Sequence, residues 1–168
     1  MKDNCALISI ETDLMGGQDR LKFLMQQLQE MGRVAQTSSI YKKYRNHRSE
    51  DLNSNLVLAI KWLTEKNLDE VFCFLTKLET DKEKVLGGNR EALSILAFNQ
   101  ELLLMPGQNI PHPKLHTDPL TLRCAAEAWS DYKHPVLGQT LNELVRCSDP
   151  VREVEFFAQG KSLFSNEI

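Results

Sequence analysis

The apolar positions of this chain fall into short runs whose spacing changes from one segment to the next. Ala6–Ile10 (ALISI) is a compact β-branched run stopped by Glu11-Thr12-Asp13, the pattern of a buried strand. After Met15-Gly16-Gly17 the period lengthens. Leu21, Leu24, Met25, Leu28 and Met31 recur at helical spacing, with Gly32 as the stop. Val34–Tyr41 reads as a second strand, and the aperiodic polar stretch YKKYRNHRSED that follows reads as a long loop. Asn55–Trp62 (NLVLAIKW) is the strongest strand signal in the chain. Leu68, Val71, Phe72, Leu75 and Leu78 predict an amphipathic helix capped by Asn67, running into ETDKEK and a Gly87-Gly88 loop. Ala92–Phe98 predicts a strand, with Leu102–Met105 returning beside it as a hairpin. A proline-rich connector, PGQNIPHPKLHTDP, leads to helices at about Leu120–Trp129 and around Leu141–Val145.

The resulting order is β-α-β-loop-β-α-β(β)-loop-α-α, with only two helices between strands. It predicts an α+β, ferredoxin-like sandwich: a mostly antiparallel sheet on one side and helices packed on it, rather than a doubly wound parallel sheet. The domain is expected over residues 1–147, followed by an extension over 148–168. That extension carries Phe156-Phe157 and Leu163-Phe164, and reads either as a helix docked on its own domain or as a partner-binding tail.

Composition narrows the classes. A length of 168 residues suits one domain, and 42% hydrophobic with 26% charged residues is globular rather than disordered. Net charge is −3, which argues against nucleic acid or an anionic membrane as a partner. No apolar run approaches a membrane span, and the first residues meet acids too soon for a signal core. Cys5, Cys73, Cys124 and Cys147 form no CxxC pair, so zinc is not expected; they read as free thiols serving as small core residues of a cytoplasmic protein, expected to be a monomer.

Few residues carry chemistry of their own. Neither GxxxxGK[ST], GxGxxG nor GxSxG occurs. His112 sits between Pro111 and Pro113, which fix the backbone on both sides and preorganise the imidazole to meet a phosphate. The plainer reading is a surface turn. Asn55 opens the best strand, and its amide offers the donor and acceptor needed to read a lactam edge; a strand-start residue is the alternative. Glu79 follows Leu78 and can receive amino groups, or stand as an exposed helix-edge carboxylate. Lys82, Lys84 and Arg90 surround the Gly-Gly loop as a candidate polyphosphate clamp, though Asp81, Glu83 and Glu91 interleave with them as on a solvated face.

Taken in order, these segments resemble the 6-hydroxymethyl-7,8-dihydropterin pyrophosphokinase family over roughly Cys5 to Val145. Ser38-Ser39-Ile40-Tyr41 is similar to the family's Ser-Ser-aromatic-Tyr strand, and Asn55 to the asparagine that binds pterin. Leu78-Glu79 resembles its Ile-Glu, and Ile110-Pro111-His112-Pro113 its Val-Pro-His-Pro/Tyr. Leu120–Ala128, with Glu127 in the glutamate's place, and His134-Pro135 with Gly138-Gln139-Thr140-Leu141 resemble its close. The resemblance implies transfer of a pyrophosphoryl group from ATP to a pterin with two Mg2+ ions, a reaction of folate biosynthesis. It further implies that Asn55 orients pterin, Glu79 contacts adenosine, and Lys84, Arg90 and His112 hold phosphates.

The departures fall on the chemistry. Ala92 and Ser94 stand where the family's Asp-x-Asp holds metal, and a methyl and a hydroxyl cannot replace two carboxylates. The family's Gly-Ser-Asn turn becomes Glu11-Thr12-Asp13, its arginine after the helix glutamate becomes Lys84, a loop arginine falls near Asp118, and the aromatic that stacks on pterin becomes Leu120. No metal ligands are therefore expected, and Asp81, Glu91 or Asp118 lack the two-apart strand spacing to substitute. Two functions remain: a pyrophosphokinase-family protein of reduced or absent activity, or a non-catalytic pterin-, nucleotide- or protein-binding module with its tail as a partner surface.

Overall fold

A computed structural model describes residues 2–44, 54–85 and 92–164, those at 80–85 by backbone alone. The long run Ser54–Thr64 (β4) forms the middle of the sheet. It is apolar on both faces, as a strand covered on both sides must be. On one side it pairs antiparallel with β1 (Asn4–Asp13), from Asn4↔Thr64 to Asp13↔Asn55. On the other it pairs first with β2 (Arg33–Thr37) and then with β3 (Ile40–Tyr44). β5 (Ala92–Phe98) lies outside β1 and β8 (Val154–Ala158) outside β3, all antiparallel, in the order β5-β1-β4-β3-β8.

Strand alternation divides the core. Ala6, Ile8 and Ile10 with Leu56, Leu58, Ile60 and Trp62 face α1 (Gly17–Met31), α2 (Leu68–Val85) and a closing 3₁₀ turn at Gly160–Phe164. Leu7, Val57, Ala59 and Ala97 face α3 (Lys114–Thr117), α4 (Pro119–Ala128) and α5 (Leu141–Arg146). Helices thus cover both faces, and the expected single layer of helices is corrected to two. Trp62 is fully buried, donates Nε1 to Leu28 O at 2.9 Å and stacks on Phe74; truncating it to alanine would cost about 3–5 kcal/mol.

Several local readings change for identifiable reasons. The strand expected over Val34–Tyr41 is two strands. At the break the buried Ser38 hydroxyl accepts from Ala59 N and donates to Ser39 O, both at 2.8 Å, replacing ladder bonds. Lys42–Tyr44, expected in the polar loop, belong to β3; the remainder of that loop, and the Gly87-Gly88 loop, lie outside the described residues. Leu103–Met105 (β6) pairs not with β5 but with Gln108–Ile110 (β7), taken from the connector. The tail contributes a strand and a 3₁₀ turn rather than a docked helix. Gly32 ends α1 in extended backbone, so its role is space: a Cβ there would lie 2.5 Å from Leu63 O. Of the cysteines only Cys124 is buried, and burial pushes its thiol up to about 12; Cys73 and Cys147 are exposed. Among the described residues no helix is long and apolar enough to cross a membrane.

Candidate functional site

β1 does not stop at Ile10. It continues through Glu11 and Asp13 because β4 supplies partners as far as Asn55. This carries a polar row across the α3–α5 face of the sheet. Ala92 of β5 stands opposite Glu11, and Ser94 opposite Ser9; Asn55 stands opposite Asp13 on one side and Lys43 on the other. Asn55 donates Nδ2 to Glu11 Oε1 at 2.7 Å, and Lys43 Nζ lies 3.9 Å from the same oxygen. The asparagine is buried, and its Oδ1 has no hydrogen-bond partner. One N–H of the expected lactam reader is therefore taken by Glu11, and its Oδ1 acceptor is left without a partner.

A cavity of about 420 Å³ opens where α2, β5, β7 and the His112 segment meet. It brings Glu79, Ser94 and His112 together on one wall system, three residues that lie far apart in the chain. Glu79 Oε1 accepts from Leu93 N at 2.7 Å and so fixes the start of β5 against α2. His112 is pinned twice: its N–H donates to Leu96 O at 2.8 Å, and its Nδ1 accepts from Lys114 N at 3.1 Å. That second bond assigns the proton of the neutral ring to Nε2. Burial, assisted by the Lys114 charge, holds the imidazole below its usual 6.5. The Ile110–Pro111 peptide before it is cis.

Other candidates go elsewhere. Asp118 caps α4, Oδ1 accepting from Leu120 N at 3.2 Å and Oδ2 from the Thr121 hydroxyl at 2.8 Å. With Leu120 and Lys43 it lines a second hollow of about 540 Å³ under residues 149–154. Asn55 and Ala92 belong to neither cavity. The Lys84 and Asp81 side chains, and all of Arg90 and Glu91, lie outside the described residues.

The donor set does not suit a hard divalent ion at Ala92 and Ser94, where a methyl and a hydroxyl share one face of β5. Among the described residues no cluster of three or more His, Cys, Asp or Glu is found. Glu11 and Asp13 have the two-apart strand spacing that the sequence reading assigned to no other carboxylate, but Glu11 is committed to Asn55 and Lys43. A polar triplet ordinarily ends a strand, so nothing in the sequence signals that Glu11 and Asp13 share a strand face. Nor does a Pro/Gly-rich connector signal Gln108, which lines the first cavity with a buried Nε2 that has no acceptor.

No protein-family model and no curated protein matches the chain in sequence. Solved structures match in shape. The wild-type HPPK-DHPS of Plasmodium falciparum with pteroate superposes with a TM-score of 0.67 at 15% identity, over 87% of this chain and 42% of that one. The wild-type protein in a second crystal structure gives 0.66 at 13%, over 87% and 45%. A doubly substituted form with pterin and p-hydroxybenzoate gives 0.65 at 14%, over 87% and 44%. The chain spans less than half the length of these proteins. At such identities the likeness is one of fold, and this chain has an HPPK-like α+β fold with a mostly antiparallel sheet.

Proposed function

We propose that this chain is a ligand-binding protein built on the pterin pyrophosphokinase scaffold, with pyrophosphoryl transfer from ATP weak or lost. The observation that supports the reading is the face of β5, where Ala92 and Ser94 carry no carboxylate, beside a cavity that gathers Glu79, Ser94 and His112. Phosphoryl-transfer chemistry rests on positioning and on neutralising charge at the phosphoryl oxygens. Bound metal supplies several kcal/mol of that stabilisation, and losing about 4 kcal/mol slows a reaction about a thousandfold.

In this reading Asn55 meets a pterin with Oδ1, accepting from a ring or amino N–H. His112 offers Nε2–H to a ligand oxygen. Glu79 holds β5 in place and presents carboxylate to amino or hydroxyl donors, while Lys84 and Arg90 are the proposed phosphate contacts. Calorimetry with 6-hydroxymethylpterin and with ATP, each with and without Mg2+, tests the reading. Pterin should bind, and ATP affinity should change less than about threefold on adding Mg2+. Tight Mg2+-dependent ATP binding with AMP release in the presence of the pterin would overturn it. Binding of neither ligand would favour the alternative, a protein-interaction module on the same scaffold.

A further inference from the structure

The second hollow, of about 540 Å³, has two unlike walls. One belongs to the body of the domain. It is made by Lys43 of β3 and by Leu120 in the first turn of α4, a turn that Asp118 fixes with both carboxylate oxygens. The other wall is the crossing from Asp149 to Val154, which carries the chain from α5 to β8. Only Val151 and Val154 of this crossing are half-buried, and its other residues are exposed.

The crossing is fastened firmly outside its ends and lightly along its length. Before it, the Ser148 N–H and hydroxyl both donate to Val145 O, at 3.2 and 2.8 Å. Beyond it, Gly160 packs against Ser38 O and Thr37 with no room for a Cβ, and Leu163 joins the core. Between these anchors the hold is on the open end of β3. Tyr44 N donates to Glu153 O at 3.4 Å, near the limit for such a bond. The Tyr44 hydroxyl bonds the Glu155 side chain, and the exposed Phe156 ring meets the Tyr41 edge. Glu153 itself is left-handed, with φ 59°, so the chain turns onto β8 at that residue. A segment with few buried contacts and solvent-exposed hydrogen bonds opens far more readily than the domain unfolds.

We infer that residues 149–154 are a strap that closes over a ligand seated in the second hollow, swinging on Glu153 between the two fixed anchors. Opening exposes Leu120 and Lys43, and closure brings Val151 and Arg152 over what lies there. The inference rests on the proposed reading of the chain as a ligand-binding protein, and it adds how that site is covered. Lys43 joins the two, since it lines the hollow and stands opposite Asn55 across the β3–β4 ladder.

Hydrogen exchange of the full chain, read by mass spectrometry with and without 6-hydroxymethylpterin, tests it, and calorimetry reports whether the pterin binds. Saturating pterin should slow exchange over 149–154 about tenfold and leave α1 unchanged. Glu155 and Phe156 fasten the root of the strap without lining the hollow. Replacing both, Glu155→Ala with Phe156→Ala, should speed exchange over 149–154 in the free protein and raise the pterin dissociation rate about tenfold in stopped flow. The melting temperature should stay within about 3 °C, because both side chains are exposed. Pterin binding with unchanged exchange over 149–154 would overturn the strap and leave the ligand-binding reading standing. So would an unchanged dissociation rate in the double variant. Absence of pterin binding would overturn both.

Discussion

Two polar regions on the same face of the sheet are built from similar residues and finished differently. At the junction of α4 with the β2–β3 break, the Glu127 carboxylate accepts from Ser39 N at 3.2 Å and from the Tyr41 hydroxyl at 2.6 Å, with Arg123 Nε at 3.9 Å. Gln36 donates to the Glu127 carbonyl at 2.8 Å, and the Arg123 guanidinium lies over the Tyr41 ring. Burial and then the Glu127 bond push the Tyr41 phenol up to about 12. In the row from Ala92 through Glu11 to Asn55, by contrast, a methyl faces a carboxylate and a buried amide oxygen has no donor. Groups that hold elements together have protein partners, because leaving them unpaired costs stability whatever the ligand. The proposed pterin contact of Asn55 rests on that second region, where its Oδ1 is left without a donor.

Glu127→Ala strands the Tyr41 hydroxyl and Ser39 N–H, and should lower unfolding free energy in urea by about 2–3 kcal/mol, with Glu127→Gln recovering part of it. The Tyr41 phenol should then titrate below its present value but stay above 10, since burial, the larger cause, remains. Glu11→Ala releases the Asn55 amide. Stability should change by about 1 kcal/mol, while 6-hydroxymethylpterin affinity read by calorimetry should rise about threefold, because the Asn55 amide is no longer held by Glu11 and can turn both N–H groups to the ligand.

Asn55→Ala should alter stability by less than about 1 kcal/mol, since the lost bond to Glu11 is offset by removal of an orphaned oxygen; pterin binding should suffer far more. The smallest effect is in pH. Burial holds both His112 and His134 below 6.5 in the folded protein, with Lys114 and His116 respectively adding to it. The unfolded chain therefore binds more protons below 6.5, and stability is fully present above that value and lost as pH falls through it. His134 accepts from Val136 N and Leu137 N at 3.2 Å through Nδ1, so His134→Asn, which keeps an acceptor, should flatten the thermal-melt dependence between pH 7 and 5.

Much of the fold was legible along the chain, and the exceptions have causes. The runs at Asn55–Trp62 and Ala92–Phe98 were readable because apolar residues on a strand covered on both faces leave little ambiguity. The α1 pattern was readable because Leu21, Leu24, Met25 and Leu28 line one buried stripe. Glu11 to Asp13 misled because polar residues usually end a strand, yet a strand persists wherever a neighbour offers backbone partners. At the site, Glu79, Ser94 and His112 could be nominated from residue type and order, but their meeting in one cavity could not.

Periodicity alone located the central strands Asn55–Trp62 and Ala92–Phe98 and the helices α1, α2 and α4, and residue identity alone shows that Ala92 and Ser94 carry no carboxylate. These follow from periodicity and residue chemistry, which are local. The packing of the layers put helices on both faces, set the tail beside β3, gave Glu11 one donor of Asn55, and left Gln108 Nε2 buried without an acceptor. Whether a polar atom is satisfied depends on partners dozens of residues away, and that is settled when the layers close on one another.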